Sequence, residues 1–326
     1  MTSAKQTDVV RVAVIGGGPF AALAARAWGD VPGVELVRMA DVTRFRELVE
    51  QANIDGVELL VDPAAHRELI ELAFARGKYV AVHKPLAPDL DSARAIVAAE
   101  QKAGTKAVVF DPLLFHPFVP RAMAQLNDGQ IGEVQMIRLK SHAGGQGGGG
   151  PALDPSRLSR PDHPLLLEWP FDKAALIEHF MGPVVEVFCY GAPHTRMVSY
   201  KFQGESRYGV HEVVYSPDLL VQSEAAPTDD SVEITGTDGI LWLHNLTATM
   251  VEAPKLMLKR KDVVTIWDDR IEYDHSHVQA AMRAHFAEVI RGRAKPLHTL
   301  EQAERALSVN LASEQAMREA SAKKVF

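Results

Sequence analysis

The sequence predicts two domains: an α/β domain with a parallel sheet, then an α+β domain with a large, open, mainly antiparallel sheet. In residues 1–118, short apolar strands alternate with amphipathic helices, as in a parallel sheet covered by helices on both faces. In residues 119–326, longer strand-like segments dominate and helices are fewer. These two ranges are the expected domains.

The composition fits a globular chain of about two domains. Of 326 residues, 47% are hydrophobic and 24% charged, and the formal net charge is -7. No basic segment is interleaved with aromatic residues, so we expect no nucleic-acid partner. The N-terminal residues lack the apolar core of a signal peptide and no segment is long enough to span a membrane, so we expect a cytoplasmic protein without a membrane partner. Cys189 is the only cysteine, which excludes an internal disulfide, and we predict it in the core.

Five strands are predicted in the first domain, each leading into a turn or a helix. Ligands gather at the carboxyl ends of the strands in open parallel sheets, so candidate site residues are sought there. The predicted strands are residues 12–15, 35–39, 57–61, 79–82 and 107–110, and the predicted helices are 44–52, 64–76 and 90–102.

The first strand runs into a glycine turn followed by an apolar helix, a pattern that predicts a Rossmann dinucleotide-binding domain. Gly16 permits the tight turn, Gly18 lets the backbone approach a pyrophosphate, and Ala21 keeps the helix close to the strand. The N–H groups at the start of the helix would face the anion. Pro19 and Phe20 lie in the same turn and are candidate cofactor-binding residues. The alternative is an ordinary strand-to-helix turn without a nucleotide.

Asp41 ends the second strand, about 25 residues after Gly16, close to the spacing at which a carboxylate meets the adenosine ribose. Because this carboxylate would repel a 2′-phosphate, NAD is favoured over NADP, although Arg44 could offset the repulsion. The alternative role of Asp41 is to cap a following helix, and the two roles can coexist.

Lys84 directly follows the fourth strand, at the ligand edge of the sheet, and Pro85 fixes the backbone beside it. Here the chain resembles the Gfo/Idh/MocA oxidoreductases, the family of glucose-fructose oxidoreductase and inositol dehydrogenase. The resemblance rests on the glycine turn, the acidic residue after the second strand, Asp62-Pro63 followed by His66, Lys84-Pro85, the segment Gly129 to Val134 and the segment Ile234 to Gly239.

The resemblance implies an enzyme that holds NAD or NADP in the first domain and oxidises a sugar, polyol or cyclitol-like hydroxyl, or reduces the corresponding ketone. Asp62, Pro63, His66 and His83 would then belong to the cofactor site, and Lys84 to both the cofactor site and the reaction centre. An ammonium group there can stabilise developing alkoxide charge and relay a proton while the nicotinamide carries the hydride. The alternative for Lys84 is a solvated lysine at a strand end.

Departures from the family pattern concern the acid-base residues. His83 replaces a glutamate, which removes a carboxylate that would help keep Lys84 charged. The family motif Asp-x-Gly-x-His falls on Glu168 to Asp172, so its histidine becomes Asp172. We expect Asp172 to transfer protons, with Glu168 and Lys84 beside it, or else to cap the helix predicted over residues 173–181. His179 is a reserve candidate, although such a histidine is more often packed.

The second domain is predicted to contain a glycine-rich loop between its first two strands. The segment Ala143 to Gly150 reads as too flexible to pack, and we expect either a lid or an idle insertion. The predicted strands are 134–140, 184–190, 197–202, 210–215, 232–235 and 240–243, and the further predicted helices are 118–128, 275–291 and 299–320.

The leading hypothesis is therefore an NAD(P)-dependent dehydrogenase or reductase acting on a small carbohydrate-like substrate. Two alternatives stay open: elimination or hydrolysis of a glycoside with transient use of NAD, and a ligand-binding member without turnover. We expect no metal site, because the densest group of histidines has the wrong spacing for one ion. One face of the open sheet should be covered by another subunit, which predicts a homodimer or homotetramer.

Overall fold

The computed structural model describes residues 9–148, 154–158, 160, 163–204, 207–223, 227–250, 252–267 and 275–319. The chain forms two compact units. The first is drawn from Met1–Phe115 and Asp274–Leu307, and the second from His116–Tyr273 and Ser308–Phe326. Each unit contains its own sheet.

Strands and helices alternate through the N-terminal part of the chain, and strands dominate after it. The strands are β1 (Val10–Gly16), β2 (Val34–Ala40), β3 (Gly56–Leu60), β4 (Tyr79–His83), β5 (Ala107–Phe110), β6 (Val134–Gly148), β7 (Val184–Ala192), β8 (Thr195–Phe202), β9 (Tyr208–Ser223), β10 (Thr228–Gly236), β11 (Gly239–Leu243), β12 (Leu256–Arg260) and β13 (Val263–Trp267). The α-helices are α1 (Gly18–Gly29), α2 (Phe45–Val49), α3 (Pro63–Ala75), α4 (Leu90–Lys102), α5 (Phe118–Asn127), α6 (Pro155–Leu158), α7 (Ala174–Met181), α8 (His275–Ile290) and α9 (Leu300–Glu319).

The first unit is built on a parallel sheet with the strand order β2-β1-β3-β4-β5. The chain passes from β1 outward to β2 and then crosses to β3 on the other side of β1. In an open parallel sheet, a ligand crevice forms at such a reversal, beyond the carboxyl ends of the strands. The central strands are buried on both faces, as in Val12 to Ile15 of β1. Trp28 of α1 and Phe286 of α8 pack together, with their ring centroids 6.3 Å apart.

The second unit is built on an eight-stranded sheet with the order β13-β12-β11-β10-β6-β9-β8-β7. Strands β6 and β9 are parallel, and the other neighbouring strands are antiparallel. The predicted fold class is therefore confirmed. Strands β12 and β13 were not predicted from the sequence. Cys189 is buried in β7, as predicted, and burial raises the pKa of its thiol to about 12.

The glycine-rich segment corrects the sequence prediction. Instead of a lid or an idle insertion, Ala143 to Gly148 continue β6 and pair with β9. A Cβ atom on Gly144 would lie 2.2 Å from the carbonyl oxygen of Leu219, and one on Gly145 would lie 2.0 Å from that of Pro217. Glycine is therefore needed here because the neighbouring backbone comes close. The last two glycines of the predicted loop lie outside the described residues.

Among the described residues, no helix has both the length and the apolar character needed to cross a membrane.

Candidate functional site

The glycine turn between β1 and α1 leaves the start of the helix open. Gly16 (φ +143°) and Gly18 (φ +75°) have backbone angles that favour glycine. A Cβ on Gly16 would lie 2.2 Å from the carbonyl oxygen of Leu60 in β3, which requires glycine at this position. By contrast, among the described residues outside the adjoining chain, no atom lies within 4 Å of where a Cβ on Gly17 or Gly18 would be. The first N–H groups of α1 have no acceptor within the helix, which suits the start of this helix to binding an anion.

The next three residues form the beginning of α1. Pro19 lies in its first turn, where the missing N–H costs no helical hydrogen bond. Phe20 is exposed, and Ala21 is buried, in keeping with the predicted close packing of the helix on the sheet.

Asp41 stands directly after β2 and caps the short 3-10 turn Val42–Arg44. Its carboxylate accepts hydrogen bonds from the hydroxyl of Thr43 and from the backbone N–H of Thr43, the latter at 2.9 Å. These two bonds hold the pKa of Asp41 below its ordinary value. The guanidinium of Arg44 pairs with Glu47, with Nε 2.8 Å from Oε2. The carboxylate is therefore exposed and ionised, and Arg44 is engaged with another partner.

Asp62, Pro63 and His66 form the beginning of α3. Asp62 caps the helix by accepting a hydrogen bond of 2.8 Å from the N–H of Ala64, and Pro63 occupies the first turn. His66 is buried, with Nδ1 2.9 Å from the carbonyl oxygen of Leu86, and burial lowers the pKa of its imidazole. These contacts give Asp62 and His66 structural roles, and their contact with a cofactor stays a prediction.

Lys84 has a carboxylate partner that the sequence analysis missed. Its Nζ donates a 3.0 Å hydrogen bond to Oδ2 of Asp111, and the two side chains are 9% and 0% exposed. Asp111 directly follows β5, and its Oδ1 accepts a hydrogen bond of 3.2 Å from the N–H of Leu113. The solvated-lysine alternative is thereby wrong, and Asp111 supplies a carboxylate in place of the one absent at position 83.

His83, the last residue of β4, contacts a second buried carboxylate. Its Nε2 lies 2.9 Å from Oε1 of Glu58, which is fully buried in β3. Arg283 of α8 donates to both oxygens of Glu58, at 2.5 and 3.1 Å, and the indole N–H of Trp28 donates at 2.6 Å. Burial opposes the ionisation of Glu58, but Arg283 and the hydrogen bond from His83 outweigh it and hold the pKa of Glu58 below its ordinary value.

In the second unit, Asp172 is buried and accepts a 2.7 Å hydrogen bond from the amide of Asn310. The predicted capping role is wrong, because α7 begins after Lys173, which is its N-cap residue. A turn at Glu168, whose carbonyl oxygen accepts the N–H of Asp172 at 3.0 Å, places Asp172 before the helix. Its carboxylate is therefore held by a neighbouring helix, and its role in proton transfer stays a prediction.

Glu168 and His179, the other two catalytic candidates of the second unit, also contact nearby side chains. Oε1 of Glu168 lies 3.0 Å from Nε2 of the buried His163. His179 stands in the last turn of α7, with its ring against that of Phe180 at a centroid distance of 5.7 Å. A basic residue in this turn complements the helix dipole.

A buried polar cluster beneath α7 was not predicted. The Nζ atom of Lys173 donates a 2.7 Å hydrogen bond to Asp230 of β10. The hydroxyl of Ser141 in β6 also donates to Asp230, and its oxygen lies 3.0 Å from Nε2 of His211 in β9. All four side chains are buried. The only signal in the sequence is the acidic pair that begins the apolar strand β10.

Two further ionisable groups of the second unit have strongly displaced pKa values. Burial, followed by repulsion from Asp230, raises the pKa of Asp229 to about 7. Burial, assisted by the charge of Lys255, lowers the pKa of His116 to about 3. Among the described residues, no group of three or more His, Cys, Asp or Glu side chains is arranged to hold a metal ion.

Known proteins resemble the chain in both sequence and fold. Residues 33–110 match the family described as "Oxidoreductase family, NAD-binding Rossmann fold". The chain is 32% identical over 150 residues to D-apiose dehydrogenase of Paraburkholderia graminis, covering 40% of either protein. It is 26% identical over 148 residues to inositol 2-dehydrogenase of Rhizobium meliloti, covering 40% of this chain and 45% of that protein. These matches thus span less than half the length of each relative.

The fold similarity covers nearly the whole chain. The crystal structure of an oxidoreductase from Agrobacterium radiobacter, in complex with NAD+, L-tartaric acid and magnesium, aligns with a TM-score of 0.77 and 17% identity. The alignment covers 95% of this chain and 96% of that chain.

The glycine turn, the ionised Asp41 and the largely buried side chain of Lys84 all lie at the carboxyl edge of one parallel sheet, which defines the first unit as a Rossmann domain of the dinucleotide-binding class. Residues 33–110 match the NAD-binding domain of the Gfo/Idh/MocA family, and the fold of the whole chain agrees. Over residues 33–110 the chain is thus similar to the Gfo/Idh/MocA oxidoreductases, and over nearly its whole length it shares the fold of a solved oxidoreductase.

Proposed function

We propose that this protein is an NAD-dependent oxidoreductase that transfers a hydride between the nicotinamide and the hydroxyl-bearing carbon of a sugar, polyol or cyclitol. The observation that carries the proposal is the Lys84–Asp111 pair at the carboxyl edge of the sheet, where β1 also ends in the open glycine turn. An ammonium that is only 9% exposed at this edge serves no solubility role, and this supports a reaction centre at the carboxyl ends of the strands.

The residues present fit a dinucleotide. The N–H groups at the start of α1 would hold the pyrophosphate, and Asp41 would accept hydrogen bonds from the adenosine ribose. A bound nicotinamide supplies the hydride donor or acceptor. Lys84 would donate a hydrogen bond to the reacting oxygen and stabilise its developing negative charge, while Asp111 fixes the direction of the ammonium group.

A preference for NAD over NADP is supported by two contacts. The hydrogen bonds from Thr43 keep Asp41 ionised, so a 2′-phosphate would meet a negative charge. The guanidinium of Arg44, whose charge also acts on Asp41, donates its hydrogen bonds to Glu47.

The test is a fluorescence titration with NADH and NADPH of the wild type and of Asp41→Asn. Asparagine caps a helical turn about as well as aspartate, so this variant removes the charge while keeping the turn. We expect the wild type to bind NADH more tightly, and the variant to lose NADH affinity by about tenfold, as for one hydrogen bond to a charged group. Asp41→Ala is the matched variant that also removes the cap. A wild type that binds neither nucleotide contradicts the proposal.

The substrate class comes from relatives, which are named for D-apiose and inositol. D-apiose, myo-inositol and related polyols are therefore the first compounds to assay with NAD+, by the appearance of NADH absorbance. Oxidation of any of them that is lost in Lys84→Met supports the proposed reaction. Consumption of a glycoside without net formation of NADH would instead indicate elimination or hydrolysis.

We also propose that the protein forms a homodimer or homotetramer through the large sheet. Phe188 and Tyr190 of β7 and Met197 of β8 are exposed, and Tyr190 lies directly opposite Met197 in the antiparallel pair. Such an apolar group on a sheet face marks an interaction surface. Light scattering after size exclusion tests this, with Tyr190→Arg expected to yield monomers and Lys201→Ala, an exposed site on β8, as the control.

A further inference from the structure

His83 is an imidazole with one ring nitrogen fixed by a buried carboxylate. Its Nε2 contacts Glu58, while Nδ1 makes no hydrogen bond to any described residue. The side chain is 26% exposed although Glu58 is completely buried, so the ring extends from the interior of the sheet to its carboxyl edge. We propose that His83 accepts the proton of the substrate hydroxyl, and that Glu58 and Arg283 are the positioning residues that present its Nδ1 lone pair. This inference rests on the proposed function.

The contacts of Glu58 determine which ring nitrogen of His83 carries the proton. Arg283 and the indole of Trp28 can only donate hydrogen bonds, and together they donate to both carboxylate oxygens. Although burial opposes ionisation, the guanidinium of Arg283 against both oxygens holds the pKa of Glu58 below its ordinary value; the carboxylate is ionised, and Nε2 of His83 is the donor. In a neutral imidazole the other nitrogen is then an acceptor. The lone pair at Nδ1 follows from this arrangement.

Arg283 makes the arrangement rigid. Its guanidinium also donates to the backbone and side-chain oxygens of Gln279, at 2.9 and 2.7 Å, and lies over the rings of Trp28 and Phe110. The His83 ring meets the ring of Phe110 edge to face, with centroids 5.4 Å apart. The imidazole is thus held at both its edge and its Nε2, as expected of a group that must keep one orientation.

The ionisable groups around His83 come from four directions. Glu58 lies on β3 and Arg283 on α8. His66 lies on α3 and interacts electrostatically with His83. Lys84 follows it in the chain, and the ammonium of Lys84 is directed to Asp111 beyond β5. The acid and base functions are therefore divided between neighbouring residues, because Lys84 as an ammonium has no lone pair.

In the oxidation direction, the O–H proton of the substrate passes to Nδ1 of His83 as the C–O bond becomes a carbonyl. The imidazole thereby becomes an imidazolium, and a bound oxidised nicotinamide would supply the acceptor for the C–H hydrogen and its electron pair. Reduction of the ketone reverses each transfer, with His83 returning the proton. Lys84 stabilises the oxygen in both directions.

The first test measures the lone pair without requiring turnover. Diethyl pyrocarbonate acylates unprotonated, accessible imidazole nitrogens, and mass spectrometry of peptides locates the modified histidine. We expect His83 to react at least tenfold faster than the buried His66, and saturating NADH to slow its reaction about tenfold. Long-range nitrogen–proton NMR should place the proton of the neutral ring on Nε2, and Glu58→Gln should shift it partly to Nδ1.

The second test uses His83→Gln, whose side-chain amide keeps an N–H for Glu58 but has no basic nitrogen. With any polyol that the wild type oxidises, we expect kcat to fall at least 100-fold in this variant, as for loss of a general base. The NADH dissociation constant should change less than about twofold. The matched control is His277→Gln, at an exposed position on α8. Circular dichroism establishes that each variant is folded.

The outcomes separate the inference from the proposed function. If NADH binds but His83 reacts as slowly as His66, or carries its proton on Nδ1, the inference is overturned and the proposed function stands. The same holds if His83→Gln retains its kcat. If NADH does not bind at all, the titration itself shows that the proposed function has failed, and the inference fails with it.

Discussion

Replacing Glu58 with glutamine should destabilise the first unit strongly. Glu58 accepts four hydrogen bonds: two from Arg283 and one each from Trp28 and His83. Glutamine retains one acceptor oxygen and turns an NH2 group toward the remaining donors. It also leaves the buried guanidinium of Arg283 without a counter-charge. Removing one partner of a buried ion pair costs about 3–5 kcal/mol.

The expected change is large enough to measure in two ways. A loss of about 3–5 kcal/mol in the free energy of unfolding corresponds to a decrease in Tm of about 6–20 °C for a unit of this size. Urea titration should give the same loss, with hydrogen exchange of the β3 and α8 peptides assigning it to the first unit. Because the chain has two units, their transitions must be resolved before a free energy is extracted.

Two further variants make the test specific. Glu50→Gln removes an exposed carboxylate that lies 3.3 Å from Arg76, and should cost less than about 1 kcal/mol. Glu58→Leu combined with Arg283→Met removes both charges together and should be less destabilised than the sum of its single variants, although the N–H groups of Trp28 and His83 still lose their acceptor. If Glu58→Gln is within 1 kcal/mol of the wild type, or the double variant is as unstable as the sum of its single variants, the reasoning is refuted.

Three other predictions follow from the geometry. Lys84→Met should reduce kcat at least 100-fold because the reacting oxygen loses its cation, and an unchanged rate would exclude Lys84 from the reaction. Gly145→Ala should destabilise the second unit by about 1–3 kcal/mol in urea titrations, because its Cβ would meet a backbone oxygen. The control Gly104→Ala should be tolerated, and equal stabilities of the two variants would restore the loop interpretation. Burial lowers the pKa of His116 to about 3, so the folded state favours the neutral ring. The free energy of unfolding should therefore fall as the pH falls from about 6.5 toward 3, by up to about 1.4 kcal/mol per pH unit, and a His116→Gln variant with the same pH dependence would contradict this.

The elements of the first unit could be predicted almost completely from the sequence. Its strands are short apolar runs, and the predicted strand 107–110 matches β5. Its helices begin at recognisable caps, such as Asp62 followed by proline at α3 and Asp89 at α4. In this part of the chain, local signals and tertiary packing agree, so local reasoning sufficed.

The glycine-rich part of β6 could not be predicted correctly, because glycine has two structural roles that cannot be distinguished in a sequence. It frees the backbone, and it also removes the Cβ where another backbone comes close. Gly144 and Gly145 serve the second use, since Leu219 and Pro217 of β9 occupy the space a side chain would need. The contact joins residues far apart in the chain, and periodicity carries no information about it.

The charged partners were missed for different reasons. Glu58 interrupts the apolar run of a buried strand, and Asp111 follows a strand at the ligand edge. Each position indicates a buried carboxylate in the sequence itself, and a buried carboxylate requires a partner. The pairing of Arg283 with Glu58 could not be predicted from local patterns. Arg283 lies 225 residues after Glu58, on a helix near the C-terminal end of the chain that packs into the first unit.

The family position held by His83 connects these partners. Where the motif of the Gfo/Idh/MocA oxidoreductases, which this chain resembles, has a glutamate beside the lysine, this chain has a histidine whose Nε2 contacts Glu58 on the adjacent strand. A glutamate at position 83 would bring a second carboxylate against Glu58, and the repulsion would favour protonation of one of them. With histidine, the same buried charge instead fixes the tautomer of a ring that reaches the edge of the sheet. Glu58 and Arg283 therefore form a buried ion pair in which a change at one residue should be tolerated only together with a change at the other, and the pair orients the ring of His83.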